Sequence, residues 1–158
     1  MNVLLIILII LAVWRGIRGF KLGLVDETGR LLALVISLFV ISLGILLYTS
    51  IQNSDTKNMV LSIVMIIVTG LVARLVKLII KSLSAIAHLP IISALNSLLG
   101  IAIGVSEAVV ALWIVYVVIA SFDTGTFGHQ IMEWTSQSEI LQKMYDMNQF
   151  AYWMAAGL

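Results

Sequence analysis

Four long apolar segments, separated by short polar stretches, run along the chain. They cover residues 2–20, 31–51, 59–81 and 98–122. A helix rises about 1.5 Å per residue, so about 20 apolar residues cross a hydrocarbon core of roughly 30 Å. The pattern therefore predicts an all-α integral membrane protein in which four transmembrane helices form two hairpins, together making one domain over residues 1–122.

The remaining residues, 123–158, have a different pattern and are predicted to be a turn-rich linker and an interfacial amphipathic helix. Residues 123–128 contain two glycines and two threonines, a composition typical of a turn. Residues 138–158 mix charged side chains with aromatic and aliphatic ones, as in helices that lie in a headgroup layer. Such a helix either caps the bundle or docks a partner.

The composition indicates that lipid is the solvent for most of this chain. Of its residues 61% are hydrophobic and 11% are charged, and the mean hydropathy is +1.14. Soluble domains are near 45–50% apolar and about 25% charged. The lack of cysteine excludes disulfides and thiolate chemistry. The net charge of +1 says little by itself.

The first apolar segment leaves two interpretations open. Its uncharged part, residues 2–14, is only about 20 Å long as a helix. It crosses the bilayer if the helix continues to Phe20 with Arg15 and Arg18 extending to the headgroups. The alternative is a re-entrant or interfacial helix. We favour the crossing, because the distribution of charge between the loops is then consistent.

Basic residues divide unevenly between the two sides that four crossings would create. The first and third loops contain seven cations: Arg15, Arg18, Lys21, Arg30, Arg74, Lys77 and Lys81. The opposite side contains only Lys57 and Lys143. Because cytoplasmic loops are enriched in Lys and Arg, we expect the first and third loops to face the cytoplasm and both termini to lie on the opposite side of the membrane. Arg15, Arg18 and Lys21 are then a cytoplasmic anchor to anionic headgroups.

A short pattern, Gly-x-x-x-Gly-x-x-acid, occurs twice. The two copies are Gly19, Gly23 and Asp26, and Gly100, Gly104 and Glu107. Glycines four apart share a helix face and permit close contact between membrane helices. Two copies at the start of two predicted helices suggest a duplicated hairpin. We therefore predict the four glycines to be helix-packing residues.

Glu107 is the acid that lies deepest in a predicted span. A carboxylate at such a depth should face protein, a cation or water. Arg74 and Lys77 lie on the preceding helix and are the candidate partners. The three residues would line a proton- or ion-linked polar path, or form a structural ion pair. A third interpretation places Glu107 near the interface.

Residues 82–97 are predicted to be a bent connector, because they contain the only proline, Pro90. The two histidines, His88 and His129, are too far apart in sequence to indicate a metal site. Enzyme motifs such as Gly-x-Ser-x-Gly, His-Glu-x-x-His and the phosphate-binding Gly-Lys-Ser/Thr loop are absent. The sequence therefore predicts no catalytic residue, no cofactor and no nucleic-acid partner.

Three short motifs together resemble those of the colicin V production protein family. They are Arg18-Gly19-Phe20, Leu99-Gly100-Ile-Ala-Ile-Gly104 and Trp134-Thr-Ser-Gln-Ser138-Glu-Ile-Leu141. Family members often have Asp-Arg before the second glycine pair and Arg-Gly after it. This chain has Leu95-Asn96-Ser97 and Ser106-Glu107 at those places. The resemblance therefore does not carry a role of that second arginine over to this chain.

The resemblance implies a small four-helix protein of the bacterial inner membrane, without an established catalytic residue. It implies an accessory role in toxin production or export and in envelope homeostasis. We expect the protein to act by packing with itself or with a transport partner through its glycine faces. The alternative is a small oligomeric transporter or channel, in which Glu107 and Arg74 line the path.

Overall fold

The computed structural model describes residues 2–84, 90–149 and 151–152. These residues form helices and no strand, so the prediction of an all-α protein is confirmed. The helices are α1 (Val3–Gln52), α2 (Thr56–Ser84), α3 (Pro90–Ser121), α4 (Gly125–Ser136) and α5 (Glu139–Asp146).

Helix α1 contains both of the first two predicted segments and is interrupted at one residue. Gly23 has φ 83° and ψ 172°, outside the helical region. We call residues 3–22 the first arm and residues 24–52 the second arm. The predicted loop over 21–30 is wrong, because its Lys, Leu, Glu and Arg residues are good helix formers and only Gly23 departs from the helix.

The two arms of α1 contact the same surroundings. Leu8 of the first arm and Leu38 of the second belong to one core cluster. Arg15 and Ser37, which lie on opposite sides of Gly23, line one cavity. The bend at Gly23 therefore brings distant parts of α1 together.

Three helices in the described part of the chain are long and apolar enough to cross a membrane. They are Val3–Gln52, Thr56–Leu78 and Ala94–Ser121. This agrees with a membrane protein. The number differs from the predicted four, because two predicted segments lie within α1.

Helix α3 begins at Pro90, well before the predicted residue 98. Proline suits the first position of a helix, where its missing N–H has no intrahelical acceptor. The predicted bent connector over 82–97 is therefore wrong for most of its length. Residues 85–89, which include His88, lie outside the described residues.

The core lies mainly between α1 and α3. Its buried side chains in this region are Leu4, Leu8, Leu38, Ile45, Ala108, Leu112, Tyr116 and Val117. Helix α2 packs against α1, and nearly all of its apolar window is exposed. Ser62 is the exception: it is fully buried, and its hydroxyl donates to the Asn58 carbonyl.

Helices α4 and α5 cover one end of the α1–α3 pair. The Trp113 indole N–H donates to the Met144 carbonyl (2.8 Å), and the Asn148 amide donates to the Trp113 carbonyl (3.0 Å). Tyr116 packs edge-on against Tyr145 and forms a hydrogen bond with Thr135. These contacts are those of a cap on the bundle.

The prediction for the tail was wrong in two details. Helix α4 begins at Gly125 and buries Gly128, so the turn is limited to residues 122–124. The single helix predicted from residue 138 is interrupted after Asp146. Residues 153–158 lie outside the described part of the chain.

Candidate functional site: a buried charge cluster beside Gly23

Glycines bring the first arm of α1 into backbone contact with α3. A Cβ atom added to Gly19 would overlap the Gly100 carbonyl, and one added to Gly100 would overlap that of Gly19. A Cβ atom on Gly104 would overlap the Arg15 carbonyl. Such an approach requires a residue without a side chain on at least one of the two helices. This close backbone contact sets the distance between Arg15 and helix α3.

Arg15 forms an ion pair with Glu107 across this contact. Its Nη1 atom lies 2.6 Å from Glu107 Oε2, a distance typical of a charge-assisted hydrogen bond. Glu107 is only 1% exposed and lies at the middle of the apolar stretch Ala94–Ser121. Its other oxygen, Oε1, is buried without a hydrogen-bond partner. Glu107 therefore faces protein and a cation, which are two of the three surroundings expected for an acid at such a depth.

The partner predicted for Glu107 was also wrong. Arg74 and Lys77 are exposed on α2, and neither forms an ion pair with a described carboxylate. Lys77 lines a separate groove of ≈ 550 Å³ between α1 and α2, together with Asp26 and Arg30. Arg74 and Lys77 were predicted as partners because their helix, α2, directly precedes the helix that contains Glu107. That helix, α3, packs chiefly against α1 rather than against α2.

A second buried carboxylate, Glu27, belongs to the same region. It is fully buried, and its Oε2 atom lies 3.6 Å from Arg30 Nη1. Neither Glu27 oxygen has a hydrogen-bond partner, and neither does Arg30 Nη1. The burial of Glu27 was missed from the sequence. Glu27 lies eleven residues before Leu38, which lies seven residues before Ile45. Both intervals are close to whole numbers of helical turns, so this spacing places Glu27 on the buried face of the second arm.

Three arginines converge on one cavity beside these carboxylates. Arg15, Arg18 and Arg30 line an open space of ≈ 370 Å³ together with Ala33, Leu34 and Ser37. Trp14 lies beneath two of them, with its ring 5.3 Å from the Arg15 guanidinium and 5.9 Å from that of Arg18. Cation–π attraction to this ring stabilises both guanidinium groups beside it. The third residue of the predicted anchor, Lys21, is exposed and does not line this cavity.

Asn96 of α3 holds the backbone at Gly23, where helix α1 is interrupted. Its Oδ1 atom accepts a hydrogen bond from the Leu24 backbone N–H (2.9 Å), the first donor of the second arm. A Cβ atom on Gly23 would overlap the Asn96 side chain, and its φ of 83° is strained for any other residue. Asn96 thus acts as a helix cap supplied from another helix.

The two glycine motifs are not structurally equivalent. Gly23 interrupts a helix, whereas Gly104 lies within α3. Asp26, the acid of the first motif, is exposed, whereas Glu107 is buried. The two copies pack against each other through Gly19 and Gly100.

The cluster is suited to holding charge in an apolar setting. It combines three guanidinium groups with two carboxylates, and Glu27, Arg30 and Arg18 all act electrostatically on Glu107. Within the described residues, no group of three or more His, Cys, Asp or Glu side chains could hold a metal ion. Its chemistry is that of ion pairing between buried side chains.

A family model described as colicin V production protein matches residues 4–149. The chain belongs to this family. The resemblance read from the three short motifs is confirmed, and the match extends from the first arm of α1 beyond α5. The colicin V production family is not a known enzyme family. No curated protein and no solved structure matches the chain.

Proposed function

We propose that this member of the colicin V production family crosses the bacterial cytoplasmic membrane four times. The two arms of α1 would be separate spans that form a hairpin at Gly23. The first arm, residues 3–22, is about 30 Å long as a helix, enough for one crossing. The convergence of Arg15, Arg30 and Ser37 on one cavity supports the reversal.

This topology places both termini outside. It is supported by the seven cations of the first and third connections, which the positive-inside rule assigns to the cytoplasm. The absence of cysteine makes it testable with single substitutions. Cysteines introduced at Asn2 and Asp55 should react with an impermeant maleimide from outside. Labelling at Asp55 from the cytoplasm alone would contradict the topology.

Within that membrane, we propose an accessory role in toxin production or export and in envelope homeostasis, through helix packing with another protein or a second copy. The observation that carries this proposal is that the glycine faces are already occupied within the chain, whereas the face of another helix is exposed. Gly19, Gly100 and Gly104 contact backbone inside the chain and are not free for a partner. Helix α2 instead presents an almost uncovered apolar face.

The outer face of α2 is therefore the proposed contact surface. We define it by the exposed residues Ile63, Ile67 and Leu71, which follow one another at intervals of four, with Gly70 beside them three residues after Ile67. No atom lies within 4 Å of a Cβ atom added to Gly70, so the residue has room on its outer side. Close approach of a second helix is favoured at such a small residue.

Two matched substitutions test this role. Gly70→Leu should reduce recovery of crosslinked partner or second copy from native membranes, and with it the secretion of a colicin V type toxin. Gly44→Leu is the control, because Gly44 is also an exposed helical glycine with no atom within 4 Å of an added Cβ. Normal secretion and crosslinking in Gly70→Leu would refute the α2 contact.

A second candidate function, a small oligomeric transporter or channel, is favoured by one observation. Glu27 and Glu107 are buried and retain carboxylate oxygens without hydrogen-bond partners. Such groups in membrane proteins often belong to ion or proton pathways. A path would involve Glu107 with Arg15 and would form between copies. Unchanged ion flux in proteoliposomes of Glu107→Gln would eliminate this candidate.

A further inference from the structure

We propose that the Arg15–Arg18–Arg30 cavity is a binding site for a single phosphate group. The inference is independent of the docking role of α2. It differs from a general attraction of basic residues to a membrane surface, because it assigns the phosphate to a defined space between the two arms of α1.

The balance of charge in the cavity is the first argument. Among the described residues, its three guanidinium groups form ion pairs with two carboxylates, Glu107 and Glu27. Arg15 is committed to Glu107 at 2.6 Å. Arg18 forms no ion pair with a described carboxylate. One positive charge in the cluster therefore remains without a direct counterion.

Unused hydrogen-bond donors are the second argument. Arg30 Nη1 is buried and has no hydrogen-bond partner, since its distance of 3.6 Å from Glu27 is too long for one. A buried donor left without an acceptor is unfavourable. The Arg30 side chain as a whole is 37% exposed and lines the cavity, so its outer donors, with those of Arg18, can reach phosphate oxygens, which match the planar guanidinium fork.

The position of the cavity is the third argument. Arg15, Arg18 and Arg30 lie within about 12 Å of Gly23 along their helices. In the proposed topology the three arginines therefore lie in the cytoplasmic half of the bilayer, with Arg15 the deepest. The wall formed by Ala33 and Leu34 is apolar, so the cavity has a charged part and an apolar part. Basic pockets between membrane helices are known to hold lipid headgroups.

Two sources could supply the phosphate: the headgroup of an anionic lipid, and free inorganic phosphate. Both have the same chemistry at the guanidinium groups. Only the lipid would also use the apolar wall. The experiment below therefore contains one probe with phosphate and tails, one with tails alone and one with phosphate alone.

The test uses native mass spectrometry of the full chain in a phosphate-free detergent. Phosphatidylglycerol, diacylglycerol and inorganic phosphate are titrated separately, and the first binding event per chain is quantified. We expect one tight phosphatidylglycerol. Arg18→Gln should weaken it about tenfold or more, as for loss of a charged hydrogen bond. Ser37→Leu keeps every charge but fills the cavity, and should weaken it similarly.

Lys21→Gln is the matched control, because it removes one cation from the same region outside the cavity. The affinity of Lys21→Gln for phosphatidylglycerol should remain within about twofold of that of the original chain. A change of that size is smaller than the contribution of one charged hydrogen bond. Equal loss in Lys21→Gln and Arg18→Gln would overturn the proposal in favour of diffuse attraction. Binding of diacylglycerol as tight as that of phosphatidylglycerol would also overturn it.

The third probe identifies the source. Competition by inorganic phosphate at equal concentration would support the site and assign it to a free anion. Failure to compete, with phosphatidylglycerol still dependent on Arg18 and Ser37, would support the site and assign it to lipid. Since Ser37→Leu changes no charge, a parallel loss in Ser37→Leu and Arg18→Gln cannot come from altered ion pairing with Glu107.

Discussion

The contact between Gly19 and Gly100 should be the position in the bundle least tolerant of a single added methyl group. A Cβ atom on Gly100 would overlap the Gly19 carbonyl, which belongs to the backbone and cannot rotate away. Relief requires the first arm of α1 to move from α3. Such a movement would also separate Arg15 from Glu107, whose atoms lie 2.6 Å apart.

The expected change in the free energy of unfolding of Gly100→Ala follows from two opposing effects. Overpacking in a tight contact costs about 1–3 kcal/mol, and a rigid neighbour favours the upper end. Replacement of glycine by alanine inside a helix gains about 1 kcal/mol. We therefore expect a net loss of about 2 kcal/mol in the free energy of unfolding.

Gly70→Ala is the control for Gly100→Ala, because nothing lies within 4 Å of the added Cβ atom. It should show only the helix-propensity gain, up to about 1 kcal/mol. The free energy of unfolding is measured by titration with sodium dodecyl sulfate in mixed micelles, followed by circular dichroism.

Two results would refute the reasoning. One is equal stability of Gly100→Ala and Gly70→Ala, which would mean that the first arm of α1 and helix α3 are not in backbone contact. The other concerns the double variant Gly19→Ala with Gly100→Ala. Since both methyl groups press on one contact, their effects should not be additive. Strict additivity would indicate two independent sites.

Three further substitutions are measured by the same unfolding titration. Arg15→Met should destabilise the protein by about 3–5 kcal/mol, because it leaves a buried Glu107 unpaired. Adding Glu107→Leu to this variant should restore much of the lost stability. A double variant that is no more stable than Arg15→Met would contradict a direct ion pair. Asn96→Ala should cost about 1 kcal/mol through loss of the cap, and no change would mean that the cap does not stabilise the break. Tyr116→Phe should cost about 1 kcal/mol, since its hydroxyl bonds Thr135; a stability equal to the original would show that water replaces that bond.

The membrane-embedded character of the fold could be predicted from the sequence, because apolar length alone decides it. The boundaries between helices were harder to predict. Charged residues at 21–30 suggested a loop, yet most of them are compatible with a helix, and a single glycine provides the bend. Pro90 suggested a bent connector, although it occupies the first position of α3, where proline is favoured.

The charge cluster could be predicted only in part. The depth of Glu107 indicated a buried acid, but its partner depended on which helix faces α3. That arrangement is determined by Gly19, Gly100 and Gly104, which permit the first arm to approach closely. The sequence alone did not show which glycine faces which. Glu27 was missed for a related reason, because its burial depends on how the second arm is rotated.

The interactions that hold α1 in shape are separated by long stretches of sequence, and this has a consequence for biogenesis. Leu24 is capped by Asn96, 72 residues later, and Arg15 is paired with Glu107, 92 residues later. During synthesis the first arm therefore enters the membrane before its counterion has been translated. The bend at Gly23 can become fixed only after α3 arrives, so insertion of α3 is the step that fixes the shape of α1.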